Sequence, residues 1–279
     1  MNIKILSDST CDLSPEQLKE HDITLSRLTV IKNGEQFTDC ETIFPADIFA
    51  HVAAGGDLCS TTAYNVDEYQ KLFAKYAGEY DGVIHISLGS GFSSSYQNAC
   101  LAAEEFDNVR VIDSMNLSTG QGLVVLKACE LAESGMDLDE IVKELHAFTK
   151  RVEASFVLDQ LAYMVKGGRC SSAAALGANL LNLKPCIEVR DGKMVVVKKY
   201  RGNLTKCLVS YTKDRLLDRD DLDYGTVFVT NTPVADEARN AVLEIVNAQP
   251  FRNVYKTDAG CTVSCHCGPG TLGVLFVRK

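Results

Sequence analysis

The chain has 279 residues, of which 46% are hydrophobic and 23% charged, with a net charge of −9. These values exclude a disordered, collagenous or low-complexity chain and leave room for one large or two medium domains. The acidic balance argues against general nucleic-acid binding, which needs a surplus of Lys and Arg to neutralise phosphates.

Residues 3–6 form a short apolar strand running into Ser7-Asp8-Ser9-Thr10. No basic segment precedes it, so no secretory leader is expected. Ser14, Pro15 and Gln17 then provide an N-cap, a proline at the first helical position and a capping-box partner. Residues 24–31 read as one strand, and 66–77 and 92–106 as amphipathic helices with a β-rich run at 82–87 between them. A strand at 109–112 precedes helices over 118–134 and 138–152, the second opened by Asp137 with Glu140. Strands alternating with helices imply βαβ units and a mostly parallel sheet.

The second half has a different pattern. Asp191-Gly192 between apolar runs at 186–190 and 193–199 is a hairpin signal, so two antiparallel strands are expected. Helices over 203–216 and 234–246 and strands at 226–230, 254–257 and 272–277 complete a mixed sheet. The fold class is therefore α/β with two α/β domains, 1–154 and 155–279. No run approaches the ~18 apolar residues of a membrane-spanning helix. Eleven cysteines, an odd number spread from Cys11 to Cys267, suit reduced and mostly buried thiols in a cytoplasmic protein.

Chemistry is expected where strands end in small polar loops, because ligands of open α/β sheets bind beyond the carboxyl ends of the strands. Three loops qualify: Ser7-Asp8-Ser9-Thr10, residues 87–95, and Asp113-Ser114 with Ser118-Thr119-Gly120. In the middle loop Gly89 and Gly91 allow close backbone approach, and Ser93, Ser94 and Ser95 offer hydroxyls for an anion or for helix capping. A dinucleotide fingerprint fails because Ser94 stands where its third glycine belongs, and no G-K-[ST] supplies a phosphate loop.

Thr61-Thr62 precedes the helix over 66–77 as a turn or cap. Cys265-His266-Cys267 suggests a metal, but read as a strand its side chains alternate between faces and no second ligand pair exists. No metal is expected. Gly268-Pro269-Gly270 would instead form a tight turn presenting His266 at a pocket mouth, or His266 is a structural residue. Lys166-Gly167-Gly168-Arg169 fits a helix stop with a left-handed glycine. From Lys184 to Arg215 there are nine Lys or Arg against three Asp or Glu, a segment of +6 that is either a solvated face or a docking surface.

Together these segments resemble one family. Ser7-Asp8-Ser9-Thr10-Cys11-Asp12, Thr61 ahead of a helix, Gly91-Phe92-Ser93-Ser94-Ser95-Tyr96-Gln97 and Val111-Ile112-Asp113-Ser114 occur in the order of the DegV family of bacterial fatty-acid-binding proteins. So do Lys166-Gly167-Gly168-Arg169, Asn182-Leu183-Lys184-Pro185 and His266-Cys267-Gly268-Pro269-Gly270-Thr271. The resemblance covers essentially the whole chain. It implies a long-chain fatty acid held between two domains and presented to a separate ATP-dependent fatty acid kinase that phosphorylates its carboxylate. By position Thr61, Thr62, Ser93 and His266 would meet the carboxylate, supported by Gly91, Phe92, Ser94, Ser95, Asp113, Ser114 and Gly268. The chain departs from the family pattern at Thr62-Ala63-Tyr64, Ser94 and Cys267, which bears on the pocket lining.

Physical chemistry fits that role. At ~0.8 kcal/mol per methylene, burying about 14 methylenes contributes on the order of 11 kcal/mol. The carboxylate needs donors, because an unpaired buried charge is very costly. Phosphoryl transfer needs Mg²⁺ and phosphate-cradling groups, which are expected on the kinase, so neither cofactor nor catalytic residue is assigned here. Arg169, Lys198, Lys199 and Arg201 would dock the kinase or touch a membrane surface. The alternative is a Ser93/His266 esterase or thioesterase, although Ser93 lacks the G-x-S-x-G elbow.

Overall fold

Strands alternate with helices from the first residues. In the computed structural model, which describes residues 1–175 and 183–279, β1 (Ile3–Asp8), α1 (Pro15–Glu20) and β2 (Thr24–Ser26) come first. Next are β3 (Thr29–Lys32), β4 (Glu35–Thr38), α2 (Pro45–Ala53) and β5 (Ser60–Thr62). They lead to α3 (Val66–Ala77), β6 (Gly82–Ser87), α4 (Ser95–Ala103), β7 (Val109–Asp113) and α5 (Thr119–Glu133). After α6 (Leu138–Phe148), a 3₁₀ turn at Thr149–Arg151 enters β8 (Val152–Val157). Then come α7 (Leu161–Gly167), α8 (Ser171–Ala174), β9 (Leu183–Arg190), β10 (Lys193–Arg201) and α9 (Leu204–Leu216). β11 (Leu222–Asn231), α10 (Asp236–Asn247), β12 (Asn253–Asp258), α11 (Cys261–Cys267) and β13 (Leu272–Arg278) close the chain.

The strands form a four-stranded parallel sheet (β2-β1-β6-β7), a six-stranded mixed sheet (β10-β9-β8-β13-β11-β12) and a small antiparallel sheet (β4-β3-β5). The α/β class expected from the sequence is what is observed; the small third sheet is an addition. α5 is buried on nearly all sides because it packs against β1 and β6 of the parallel sheet and β8 and β13 of the mixed one. One hydrophobic core therefore runs from Ile5 and Ile84 through Val124 and Val125 to Ala154, Phe156 and Leu275.

Local chemistry explains the element boundaries. Ser14 and Gln17 make the reciprocal capping box of α1, and Asp137 accepts from the backbone N–H groups of Asp139 and Glu140 at the start of α6. Asp191 (φ 48°) and Gly192 (φ 70°) are both left-handed, as a two-residue hairpin turn requires, and join β9 to β10 in antiparallel register.

Four expectations are corrected. The single strand over 24–31 is two strands in different sheets, because the chain leaves the parallel sheet after Ser26 to begin the small one at Thr29. The helix over 92–106 begins only at Ser95, since residues 92–94 belong to the loop that meets the β9–β10 turn. The helix over 138–152 ends at Phe148, and Val152 already pairs with Val277 in the mixed sheet. Cys265, His266 and Cys267 lie on helix α11, not on a strand; the tertiary caps described below override the modest helix propensity of Cys, Thr, Val and Ser. The domain boundary placed near Ala154 falls inside β8, so we propose the division just before Val152.

Candidate functional site

The carboxyl ends of β1, β2 and β6 converge on Asp8, which is fully buried. Its Oδ1 accepts from Tyr69 Oη (2.5 Å) and Ser26 Oγ (2.7 Å), and its Oδ2 from Ser87 Oγ (2.9 Å) and Leu88 N (2.6 Å). His85 Nε2 lies 3.2 Å from Oδ1. Burial alone would raise the Asp8 pKa, but the His85 charge and these donors together hold it below the usual carboxylate range. Beside it, Gln121 donates to Ser7 Oγ and the Ile86 carbonyl and accepts from Thr10 Oγ1. The network fixes the loops that follow β1 and β6.

The loop after β6 depends on its glycines. A Cβ on Gly91 would stand 2.1 Å from the Gly192 carbonyl oxygen, so only glycine lets this loop touch the hairpin turn of the mixed sheet. Asp113 accepts from the backbone N–H groups of Ser90 (3.1 Å) and Met115 (2.8 Å), while Ser114 exchanges hydrogen bonds with the Asn116 backbone. Asp113 and Ser114 therefore brace the loop. Ser93 Oγ faces a cleft, 2.9 Å from the buried Ser95 Oγ and accepting from Ser95 N. Ser94 is exposed and its side chain makes no cap hydrogen bond.

The opposite wall is α11. Its first turn is held by two distant carboxylates: Asp39 accepts from Cys261 N and Thr262 Oγ1, and Asp12 accepts from Gly260 N. On this helix His266 Nε2 lies 2.8 Å from Thr61 Oγ1, while its Nδ1 is buried without a partner. A Cβ on Gly167 would come within 2.4 Å of that Nδ1, so the glycine at the end of α7 makes room for the ring. Burial, helped by the positive charge of Arg169, lowers the His266 pKa to about 4, leaving the imidazole neutral at pH 7. Gly168 ends α7 in the left-handed conformation, and Gly268 (φ 73°) ends α11 with its carbonyl accepting from Thr232.

Between the walls lies a cleft bordered by Thr61, Thr62, Phe92, Ser93, Arg169 and His266. A second cavity adjoins it, and Leu117, Val263 and Cys267 border both. Ala154, Phe156 and Leu275 continue the inner chamber toward the mixed sheet. The outer chamber combines hydroxyls, an imidazole and a guanidinium; the inner one is lined largely by apolar side chains and by threonines whose hydroxyls are already engaged.

The fold thus brings together Thr61, Thr62, Phe92, Ser93 and His266. It also brings in Arg169, which donates to the carbonyls of Phe92 and Gly167 at the cleft mouth. Lys198, Lys199 and Arg201 lie on edge strand β10, where Lys198 pairs with Asp214 at 2.6 Å. Asn182 lies outside the described residues. Thr10, from the first of the expected loops, also lines the wall, whereas sequence reading missed Leu117, Met194, Thr262 and Val263. Reading residues 261–267 as a helix would have placed Thr262 and Val263 on the same side as His266, at spacings of four and three. His266 Nε2 is directed to Thr61 and Ser93 Oγ to Ser95; no Ser93–His266 hydrogen bond forms.

Fold and site define a three-sheet α/β protein with a cleft between a glycine–serine loop and a histidine-bearing helix. A family model described as an uncharacterised protein of the DegV family matches residues 2–279, and the chain belongs to that family. A DegV domain-containing protein of Clostridium acetobutylicum is 31% identical, with 99% of each chain aligned. Among solved structures, a DegV family protein from Thermus thermophilus described by its fatty acid binding superposes with a TM-score of 0.89 at 27% identity over 100% of both chains. DegV from Bacillus subtilis, described as a fatty acid binding protein, has a TM-score of 0.82 at 27% identity, again over 100% of both chains.

Proposed function

We propose that this chain binds one long-chain fatty acid with its carboxylate in the outer chamber and its tail in the inner one. The observation that carries the reading is the pair of adjoining cavities, polar at the mouth and mainly apolar within, both bordered by Leu117, Val263 and Cys267. Thr61, Thr62 and Ser93 supply hydroxyl donors, and Arg169 supplies the cation that a partly desolvated carboxylate requires. His266 contributes as a neutral ring. Tail burial drives affinity, and the cost of immobilising both molecules keeps the complex reversible.

In this reading the chain is a carrier, and a separate ATP-dependent kinase converts the presented carboxylate to an acyl phosphate. The head group at the cleft mouth supports such delivery. Arg169 beside the head group and Lys198, Lys199 and Arg201 on β10 form the basic face for the kinase or, transiently, an anionic membrane. Among the described residues no helix is long and apolar enough to cross a membrane. We place the carrier in the cytoplasm, where its eleven thiols stay reduced.

The direct test is solvent extraction of the purified protein followed by mass spectrometry. About one equivalent of long-chain fatty acid per chain is expected; a protein that neither carries nor takes up an acyl chain overturns the proposal. For the kinase step, hydroxylamine trapping of acyl phosphate in an ATP-supplied cell extract should depend on adding the loaded chain.

A further inference from the structure

Four of the eleven cysteines, Cys40, Cys59, Cys261 and Cys265, gather where α11 packs on the small sheet and α2. Within this group Cys40 Sγ lies 3.8 Å from Cys261 Sγ. Cys40 follows β4 on a half-buried turn, whereas Cys261, the first residue of α11, is fully buried. The absence of a Cβ on Gly260 preserves the contact, because a side chain there would press on both Cys40 Sγ and the Asp12 carboxylate.

Cys40 is also accessible. It borders an open groove of about 320 Å³ whose other walls include Arg27 and Lys256 together with Asp12 and Asp258. Cys40 and Cys100 are the half-buried cysteines of the chain; the other nine are buried.

We propose that Cys40 and Cys261 form a thiol–disulfide pair that a low-molecular-weight disulfide oxidises through this groove. The Cys40 thiolate attacks the small disulfide, forming a mixed disulfide and releasing one small thiol. Cys261, losing its proton to solvent, then attacks Cys40 Sγ and expels the second small thiol. Two protein thiols are oxidised and one small disulfide is reduced to two thiols. Cys261 is placed for the second step by geometry, its Sγ lying 3.8 Å from the sulfur it attacks. The product ties the turn after β4 to the first residue of the helix that carries Val263 and His266.

Asp39 completes a possible metal cluster with the two sulfurs, but its oxygens are already engaged. Oδ1 accepts from Cys261 N, Oδ2 accepts from Ser9 Oγ and Thr262 Oγ1, and Cys261 Sγ itself donates to the Ile43 carbonyl. The donor set therefore favours exchange between the sulfurs over coordination.

The test is incubation of the full chain with oxidised glutathione, native alkylation and peptide mapping without reductant. We expect a cross-linked Cys40–Cys261 peptide, a glutathione adduct at Cys100, and a melting temperature raised by roughly 5 °C or more that dithiothreitol reverses. Cys261→Ser should leave a stable glutathione adduct on Cys40, and Cys40→Ser should abolish the cross-link. The wild-type map alone decides the matter if the Cys261 variant does not fold. A wild-type Cys40 that stays alkylatable, keeps glutathione or pairs with another cysteine overturns the proposal, as does one equivalent of copurifying Zn²⁺ lost in Cys40→Ser.

Discussion

Two polar clusters lie under the same loops and differ in one respect. Around Asp8 both carboxylate oxygens are engaged, by Tyr69, Ser26, Ser87 and the Leu88 amide. Around the cleft mouth the groups keep spare capacity: Thr61 and His266 share one hydrogen bond, His266 Nδ1 has none, and Ser93 holds only to Ser95. A carboxylate with both oxygens engaged has nothing left for a ligand and serves as scaffold; hydroxyls with spare capacity gain free energy when a guest supplies the missing partner. The Asp8 carboxylate is thus separated from the hydroxyls of the cleft by hydrogen-bonding capacity, whereas His85 and His266 both keep an unpartnered ring nitrogen.

The largest effect should come from breaking the saturated cluster. Asp8→Ala strands four donors and exposes His85 to a site without its counter-charge, so denaturant unfolding should show a loss of about 3–5 kcal/mol. A loss below about 1 kcal/mol would mean that the cluster is not the scaffold described.

Next in size is the pH response of the cleft wall. The His266 pKa falls from 6.5 to about 4 on folding, so between those values the unfolded chain binds the extra proton. Stability from this group is complete above pH 6.5 and is lost as the pH falls toward 4, by about 3 kcal/mol in all. Asp12 runs the other way: burial raises its pKa from 3.8 to about 7, so its contribution is present below pH 3.8 and lost as the pH rises toward 7. The two slopes oppose each other in the wild type. His266→Asn should unmask a stability that falls from pH 4 to 7 relative to wild type, and Asp12→Asn one that rises, as read from melting temperatures at matched ionic strength.

Ser93→Ala and Arg169→Ala remove partners of the head group and not of the scaffold. Each should weaken fatty-acid binding by about 1–3 kcal/mol, while the ligand-free protein changes by less than about 0.5 kcal/mol. Equal losses in both measurements would erase the distinction between the clusters. Last comes Val263→Phe, at a buried residue that borders both chambers. It should shift the extracted acyl chains toward shorter lengths, measured by mass spectrometry, because the added ring occupies the path of the tail.

How much was legible beforehand varied with the range of the forces involved. The α1 cap at Ser14, the Asp191-Gly192 hairpin and the left-handed stop at Gly168 are local devices, and each formed as read. α11 was not legible. Its first turn is capped by Asp39 and Asp12, more than two hundred residues away in sequence, so no local pattern announces it. The break between Ser26 and Thr29 was equally hidden, since a run of strand-forming residues does not reveal which sheet each part joins. Arg169 was read as a docking residue and not as part of the cleft, because its neighbours there, Phe92 and His266, come from other segments.

The amino-acid order alone determined the α/β class, the alternating and hairpin halves, and the small-polar loops at strand ends, because periodicity, caps and turns act over a few residues. Only the tertiary structure decided that α11 is a helix, that Arg169 joins Thr61, Ser93 and His266, and that two cavities meet at Val263. Those outcomes depend on which distant groups share a low-dielectric interior, where each buried donor must find its acceptor across the fold.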